Sequence, residues 1–355
     1  MVGHLNHVFF PHLPANTLLL IDILSILRKI MLHTSKKPIE LHITHLNKAQ
    51  KDTKHKIKTI QSEHNGTSHK LKDKLCQLFK DIKISDKKCQ QSTDTHTQKA
   101  AIYVLDFDGD IKASAVAHLR EEISAIISVA NRGDEVVLRL ESGGGQVHAY
   151  GLAAAQLVRI KEAGLKLTIC VDKIAASGGY MMACTADKII ASDFAVTGSI
   201  GVVSQLPNFH EFLKKHDVQF EQFTAGEYKR TVTIFGENDD EDRAKHQADI
   251  ERIHELFKGF IHKYRPQLDL ERVATGEVWF GEDALALGLI DEIGTSDAYL
   301  LDQLKTCEAY LLHSRSKPTL AEKIGLAEQL GSSVTDVIGQ TGNLLGQALA
   351  KFSRP

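Results

Sequence analysis

"EVVLRLESGGGQVHAYGLAAAQLVRIKEAGLKLTICVD", residues 135–172, decides the fold. The stretch begins with an apolar run typical of a buried strand and then turns on three glycines. It continues with apolar residues at helical spacing and ends in a second apolar run. A strand, a helix and a strand in this order indicate two parallel strands joined by a crossover helix. We therefore predict an α/β fold, with its ligand site where strands end and helices begin.

The same alternation continues on both sides of this stretch. Before it, the pattern predicts a buried strand over residues 101–107 and a helix over 114–130. After it, strands are predicted over 188–192 and 195–203. A long helix is predicted over 237–265, because acidic residues stand at its start and basic residues at its end. We expect the apolar face of that helix to pack on the core or on a neighbouring subunit.

Composition and charge exclude some classes of function. The chain has 355 residues, 43% hydrophobic and 25% charged, which is typical of a globular protein. Residues 34–99 contain 15 lysines, no arginine and seven acidic residues, a net charge of +8, whereas residues 100–355 carry about −11. Because sequence readout favours arginine and aromatic side chains, we predict no nucleic-acid partner.

Composition also divides the chain into four segments. Residues 1–33 are weakly hydrophobic, and within them residues 7–33 are a candidate membrane contact. Prolines and an aspartate interrupt this run, so a full span, a shallow anchor and an oligomer contact all stay open. Residues 34–99 are predicted to be a basic, partly disordered linker with one short amphipathic helix. The main globular body is expected over 100–305 and a helical tail over 306–355.

A lone serine follows the second strand of the opening stretch. In "AASGGYMMACTAD", residues 175–187, Ser177 is followed by Gly178 and Gly179 and then by an apolar run. One interpretation is an N-cap, because a serine hydroxyl can accept a hydrogen bond from an N–H of the first helical turn. The other is a nucleophile at the start of a helix, where N–H groups and the helix dipole favour negative charge.

A nucleophilic serine needs an oxyanion site and a base. Three glycines, residues 143–145, end the preceding strand and could offer N–H groups to an oxyanion, while the absence of a following GK[ST] disfavours a nucleotide loop. No histidine stands at a strand end beside a glycine turn, and His148 falls in the first turn of the predicted helix, where it is interpreted as a surface residue. Lys229 in "FTAGEYKRT", residues 223–231, follows a predicted short strand and an Ala-Gly turn. A lysine can act as a base where its pKa is lowered, and an ordinary surface lysine is the alternative.

No metal or cofactor is expected. "DFDGD", residues 106–110, lacks the later glutamate of a calcium loop and is interpreted as a turn after a strand. The cysteines are odd in number and form no CxxC pair, so neither a disulfide framework nor a zinc site is indicated. They are Cys76, Cys89, Cys170, Cys184 and Cys307.

Five motifs in this order resemble those of the signal peptide peptidase A family of Ser–Lys proteases, and the long charged front segment most resembles its SohB-like branch. They are "LRLESGGGQVHAYGL", "DKIAASGGYMMACTADKIIAS", "TGSIGVV", "TAGEYKRT" and "VATGEVWFGEDALALGLIDEIG". The resemblance covers residues 100–295; the segments before and after carry no motif. It implies a ClpP/crotonase-like spiral of ββα units.

The resemblance also implies roles for individual residues. Ser177 corresponds to the family's nucleophile and Lys229 to its general base. Ser199 resembles the serine that hydrogen-bonds and orients the lysine. Gly144 falls where the family's oxyanion-hole N–H lies, and the Gly178 N–H is expected to be a second donor.

The function implied is a serine endopeptidase that works through an acyl-enzyme. Its expected substrates are peptides or unfolded polypeptides, such as signal peptide remnants or membrane-associated chains. A homo-oligomeric ring is expected, with each site completed between protomers. The resemblance suggests association with the inner (plasma) membrane and a periplasmic active site, whereas the positive-inside rule would place the basic residues 28–99 in the cytoplasm.

One residue departs from the family pattern, and two alternative functions stay open. The family reads Ser-Pro-Gly-Gly at the oxyanion turn, whereas this chain has Gly143 in place of the proline. We expect a softer turn and at most a modest loss of activity. The alternatives are a catalytically weak, membrane-associated scaffold or chaperone, and a crotonase-like acyl-CoA enzyme.

Overall fold

A sheet of mostly parallel strands forms the centre of the computed structural model, which describes residues 39–64 and 100–316. Among those residues the sheet has ten strands. They are β1 (Ile39–His45), β2 (Ala101–Gly109), β3 (Glu135–Ser142), β4 (Lys166–Val171), β5 (Ile174–Ala176), β6 (Lys188–Ala191), β7 (Val196–Gly198), β8 (Val278–Phe280), β9 (Glu292–Ile293) and β10 (Glu308–Ser316).

The sheet has a main path and a branch. The main path runs β1-β10-β2-β3-β4-β6-β9, and the pairs from β10 to β9 are parallel. The branch leaves β3 at its carboxyl end, where Ser142 pairs with Ala175 of β5. β5 then pairs with β7, and β7 pairs antiparallel with β8. The residue that follows β5, Ser177, is therefore beside the end of β3.

Helices cover the sheet and connect its strands. They are α1 (Leu46–His64), α2 (Val116–Val129), α3 (Val147–Glu162), α4 (Gly178–Ala183), α5 (His210–Lys215), α6 (Asp240–Tyr264), α7 (Leu270–Val273), α8 (Gly281–Ala286) and α9 (Ser296–Gln303). The long helix α6 begins at a capping box, in which Asp239 accepts the Asp242 N–H at 2.8 Å and the Asp242 carboxylate accepts the Asp239 N–H. The predicted acidic start of this helix is confirmed.

The core lies between the sheet and helices α2 and α3. β3 is almost entirely buried, as expected for a central parallel strand, and Val136 and Leu138 face the same cluster as the helices. The small side chains of Ala153 and Ala154 are fully buried and let α3 approach the sheet closely. The predicted α/β fold is confirmed at the level of a mixed α/β protein with a large, mostly parallel sheet.

The structure differs from the sequence expectation before residue 100. Residues predicted to be linker instead form strand β1 and helix α1, and β1 joins the sheet beside β10. The Asn47 carboxamide donates to the carbonyl oxygens of Leu304 and Cys307, and it accepts the Ala309 N–H. The sequence missed this connection because its partners lie more than 250 residues away along the chain.

Two further expectations on the main globular body are wrong. No strand lies directly before Lys229, because residues 201–239 form helix α5 and otherwise only turns and irregular structure. The predicted strand over 195–203 is limited to β7, because Gly198 and Ser199 have positive φ angles of 93° and 50° that end the extended backbone. Strand β10 also extends the sheet into the segment predicted to be a helical tail.

Some predictions fall on residues outside the described ranges. They concern the candidate membrane contact over 7–33, the short amphipathic helix of the linker, the cysteines Cys76 and Cys89, and the tail after residue 316. Among the described residues, the structure shows no helix that is both long and apolar enough to cross a membrane.

Candidate active site

Ser177 has a backbone conformation that side chains other than glycine rarely adopt. Its φ is 53° and its ψ is −117° at the junction between β5 and α4. Its N–H donates to the Gly198 carbonyl at 2.8 Å, and its own carbonyl accepts the Met181 N–H at 3.0 Å. Strain of this kind costs on the order of 1–3 kcal/mol and persists only where the surroundings enforce it. It often marks a functional residue.

The hydroxyl of Ser177 does not cap the helix that it precedes. Ser177 occupies the N-cap position of α4, but its side chain makes no capping hydrogen bond within the described structure. The N-cap interpretation is therefore wrong for the side chain, because the positive φ turns the residue away from the usual N-cap geometry. The half-buried hydroxyl is left available for other chemistry.

The two glycines after Ser177 are required by close packing. A Cβ on Gly178 would lie 2.8 Å from a ring carbon of the buried Tyr150, and a Cβ on Gly179 would collide with the Ser142 carbonyl oxygen. Only glycine lets the start of α4 approach β3 and α3 this closely. The Gly-Gly pair therefore seats Ser177 at the end of the central strand.

The tri-glycine turn lies directly against Ser177. A Cβ on Gly144 would lie 2.6 Å from the Gly178 nitrogen and 2.8 Å from the Ser177 Cβ, and Gly144 has a φ of 89°. The structure thus brings together the two predicted oxyanion donors and the predicted nucleophile. In this conformation the Gly144 N–H donates to Ser142 Oγ at 3.1 Å. The oxyanion role of Gly144 stays a prediction.

Ser199 lies at the end of the neighbouring strand in the branch. It follows β7, has a φ of 50°, and donates its N–H to the Glu277 carbonyl at 2.6 Å. The residue before it, Gly198, accepts the Ser177 N–H. Ser199 is therefore held beside the backbone of Ser177, and its proposed action on a lysine stays a prediction.

Lys229 is exposed and makes no hydrogen bond with Ser177 in the described structure. It lies in an exposed turn where its N–H donates to the Gly226 carbonyl at 3.1 Å, and every residue from 214 to 230 is exposed. It is absent from the residues that line the small pocket beside Ser177. The predicted nucleophile and base are thus on separate parts of the chain.

The pocket beside Ser177 is small and mostly apolar. Its volume is about 20 Å³. Helix α6 contributes Ile253 and Phe257, residues that the sequence assigned only to packing or to a subunit contact. The helical spacing of these apolar residues is visible in the sequence. Which face of the helix contacts Ser177 depends on tertiary packing, so the sequence did not assign them to the pocket. The lining residues are Gly145, Val147, Ser177, Gly178, Met181, Gly201, Val202, Ile253 and Phe257.

The segment of residues 203–235, here called the Lys229 segment, exposes many large apolar side chains. None of its residues is buried in the described structure, and Phe223 is 90% exposed. Exposed apolar side chains that form one patch are typical of surfaces that contact other proteins. The large exposed side chains are Val203, Leu206, Phe209, Phe212, Val218, Phe220, Phe223, Tyr228 and Phe235.

The described residues contain no group of three or more acidic, histidine or cysteine side chains that could hold a metal ion. Residues 106–109 of the "DFDGD" motif belong to strand β2, and only Asp110 leads into the predicted turn. The Asp110 carboxylate in that turn accepts the Ser114 N–H at 2.7 Å, and this hydrogen bond holds the pKa of Asp110 below its usual value.

Comparisons with known proteins identify one family over most of the chain. Residues 159–308 match "Peptidase family S49" and residues 8–157 match "Peptidase family S49 N-terminal". The second match includes the front segment, where the sequence analysis found no motif. The boundary between the matches falls inside helix α3, so both parts contribute strands to one sheet.

Individual relatives are proteases by name. The chain is 57% identical over 228 residues to "Probable protease SohB" of Haemophilus influenzae, covering 64% of this chain and 65% of the relative. It is 50% identical over 286 residues to "Probable protease SohB" of Buchnera aphidicola subsp. Schlechtendalia chinensis, and the match covers 80% of this chain and 93% of the relative. "Protease 4" of Haemophilus influenzae is 32% identical over 162 residues, and the match covers 45% of this chain and 26% of the relative. The aligned region thus spans less than two thirds of the first relative.

Proposed function

This chain belongs to peptidase family S49, and from that premise we propose that it is a serine endopeptidase with Ser177 as its nucleophile and Lys229 as its base. The observation that carries the proposal is the backbone around Ser177. A serine with positive φ stands beside the backbones of Gly144 and Gly178, where an acyl oxyanion would lie. The family and the names of the relatives support peptide hydrolysis.

The proposed reaction proceeds through an acyl-enzyme. Ser177 Oγ attacks the substrate carbonyl carbon while its proton passes to the neutral Lys229 amine. The oxyanion accepts hydrogen bonds from the Gly178 N–H and from the Gly144 N–H. The Gly144 N–H also donates to Ser142 Oγ, so its hydrogen bond is divided between the two oxygens. Lys229 then gives the proton to the leaving amine as the C–N bond breaks. Water then attacks the acyl carbon and gives a proton to Lys229, and Lys229 returns a proton to Ser177 Oγ as the bond between Oγ and the acyl carbon breaks.

We propose that Lys229 acts on the Ser177 of a neighbouring protomer in a ring. Two observations support this: Lys229 lies on an exposed turn and does not line the Ser177 pocket of its own chain, and the Lys229 segment carries exposed apolar side chains. Packing this segment on a second copy would remove Lys229 from water, which favours the neutral amine that a base requires. Ser199 would then orient the incoming lysine.

The pocket beside Ser177 supports a preference for a small apolar side chain before the cleaved bond. Met181, Val202 and Phe257 supply apolar walls, and the volume of about 20 Å³ leaves no room for a large side chain. Extended apolar segments such as signal peptide remnants and membrane-associated polypeptides fit this chemistry.

The proposed contact of residues 7–33 with the inner membrane and a periplasmic active site rest on the sequence alone. The ClpP/crotonase-like spiral is likewise proposed, and the branch of the sheet at β5 supports it.

The test is hydrolysis of internally quenched peptides by the full chain. Ser177→Ala and Lys229→Ala should each lower kcat by about 10³-fold or more. An equal mixture of the two variants, allowed to exchange subunits, should recover about a quarter of the wild-type rate if sites are shared between neighbours. Activity that persists in Ser177→Ala contradicts the nucleophile assignment. No recovery in mixed rings that have exchanged subunits contradicts sharing between protomers.

A further inference from the structure

Two buried hydroxyls lie directly behind the tri-glycine turn. Ser142 ends strand β3 and is 2% exposed, and Tyr150 in α3 is fully buried. Their oxygens are 2.5 Å apart. A Cβ on Gly109 would come within 2.5 Å of Ser142 Oγ and 2.6 Å of the Tyr150 oxygen, so the glycine makes room for this pair.

The hydrogen bonds of these hydroxyls have one consistent direction. The Tyr150 hydroxyl donates to the Asp110 carbonyl at 2.8 Å. Burial raises the pKa of Tyr150, so the phenol keeps the proton that it donates. The Ser142 hydroxyl must then donate to the Tyr150 oxygen, with the Gly109 carbonyl a longer acceptor at 3.3 Å. Its lone pair is left to accept the Gly144 N–H at 3.1 Å.

The same two side chains contact both halves of the predicted oxyanion hole. Ser142 accepts the Gly144 N–H, and the Tyr150 ring packs against the Cα of Gly178. Gly143 does not restrict the turn as a proline would, because its φ is free. The hydroxyl chain therefore supplies a restraint on the turn that the covalent backbone lacks.

We propose that Ser142 and Tyr150 are positioning residues that hold the Gly144 and Gly178 N–H groups at the spacing required by the oxyanion. This inference rests on the proposed peptidase function. Neither side chain contacts the substrate; each acts through the glycine backbone. Loss of either hydroxyl leaves the turn free to adopt other conformations, so the transition state is stabilised less while substrate binding changes little.

Single-hydroxyl deletions in the full chain test the proposal. Tyr150→Phe removes the hydroxyl but leaves the ring against Gly178, and Ser142→Ala removes the acceptor of the Gly144 N–H. Each should lower kcat about 10- to 100-fold, less than the loss of a whole oxyanion donor, with KM within about two-fold. Amide hydrogen exchange over residues 143–145 should become about five-fold faster or more, because the turn opens more often.

A matched control separates positioning from stability. Tyr180 is as buried as Tyr150, and its hydroxyl also donates to a backbone carbonyl, that of Leu289 at 2.9 Å. Tyr180→Phe should lower Tm by a similar amount and leave kcat and exchange over 143–145 unchanged. Equal losses of kcat in the Tyr150 and Tyr180 variants overturn the proposal.

A rescue variant provides an independent readout. Gly143 has room for a side chain, since the nearest atom to an added Cβ is Ile174 Cδ1 at 3.8 Å, and its φ is not in the left-handed region. Proline at 143 should therefore restore part of the order lost in Ser142→Ala, and Ser142→Ala/Gly143→Pro should regain about three-fold or more in kcat. Failure of the double variant to regain activity counts against positioning.

The outcomes distinguish this inference from the proposed function. Wild-type hydrolysis that disappears in Ser177→Ala, together with unchanged exchange and kcat in Ser142→Ala and Tyr150→Phe, overturns the positioning inference alone. A wild-type chain that hydrolyses no peptide overturns the proposed function, and with it the role of these hydroxyls in the reaction.

Discussion

The sheet edge around Ser177 and the Lys229 segment are built in opposite ways. At the edge, Gly178 and Gly179 meet buried atoms so closely that no side chain fits. In the Lys229 segment no described residue is buried, and a Cβ on Gly226 would meet no atom within 4 Å. The backbone around Ser177 is thus fixed by packing within one chain, whereas Lys229 lies on an exposed surface.

The largest effect is expected where packing is tightest. Gly178→Ala should lower the free energy of unfolding by about 2 kcal/mol and kcat by about 100-fold, because its methyl group meets the Tyr150 ring at the oxyanion hole. The matched control is Gly151→Ala in α3, because an added Cβ there meets no atom within 4 Å. This substitution should stabilise the helix by about 0.5 kcal/mol. Chemical denaturation and peptide hydrolysis measure both. A fully active Gly178→Ala would refute the tight packing at this edge.

A second test of the packed body concerns a buried ion pair. Arg265 is 3% exposed, and its guanidinium donates to both Asp291 oxygens at 2.9 and 2.7 Å. Asp291→Asn should cost about 3 kcal/mol, since it leaves the Arg265 charge buried without its partner. The exposed pair Arg243–Asp240 is the control, and Asp240→Asn should cost less than about 1 kcal/mol. Equal losses of unfolding free energy in the two variants, measured by chemical denaturation, would contradict the expected difference between the buried and the exposed ion pair.

The same pair gives the stability a defined pH dependence. The hydrogen bonds from Arg265 and from the Ile189 N–H lower the pKa of Asp291 below its unfolded value, although burial opposes this shift. A lowered folded-state pKa means that its contribution is present above the unfolded value of about 3.9 and is lost as the pH falls through the folded value. Wild type should therefore lose stability in acid more steeply than Asp291→Asn. Parallel curves in urea titrations below about pH 4 would contradict this.

A smaller effect on the fold, but a specific one on assembly, is expected in the Lys229 segment. Phe223→Ser should change the free energy of unfolding of a single chain by less than about 0.5 kcal/mol, because the side chain is already exposed. It should lower the mass of the assembly and the recovery of activity in mixed Ser177→Ala and Lys229→Ala samples. Phe194→Ser is the matched control, because Phe194 is 85% exposed but lies outside the segment. Sedimentation that is identical for both variants would count against this surface.

The smallest expected change is at Gly143. Gly143→Pro should raise kcat by about two-fold, since a fixed φ lowers the entropy of ordering the oxyanion turn. The variant is compatible with the structure because the space beside the residue is open. Steady-state hydrolysis measures the change. A turnover equal to that of the wild type would show that the missing proline does not soften the turn.

Local patterns were sufficient for the central part of the fold. The strand over 135–142 and the start of the helix at Val147 agree with β3 and α3, because apolar periodicity reports which residues face a core. The family resemblance is confirmed by the two S49 matches. The strand β1 was missed although its sequence, IELHITH, alternates apolar and polar residues, because the lysine-rich composition around it was interpreted as a linker. Its place in the sheet depends on β10 at the far end of the chain.

The sequence by itself determined the α/β alternation, the family, and the glycines that must surround Ser177. These features are local, because each follows from the spacing of residues within one strand, turn or helix. Only the tertiary structure decided that Tyr150 and Ser142 lie behind the tri-glycine turn and that Phe257 lines the pocket beside Ser177. Ser142 and Tyr150 are only eight residues apart, but their contact depends on how α3 packs on β3, and Phe257 comes from a distant helix. Sheet register and helix packing determine these contacts, and no residue spacing encodes them directly.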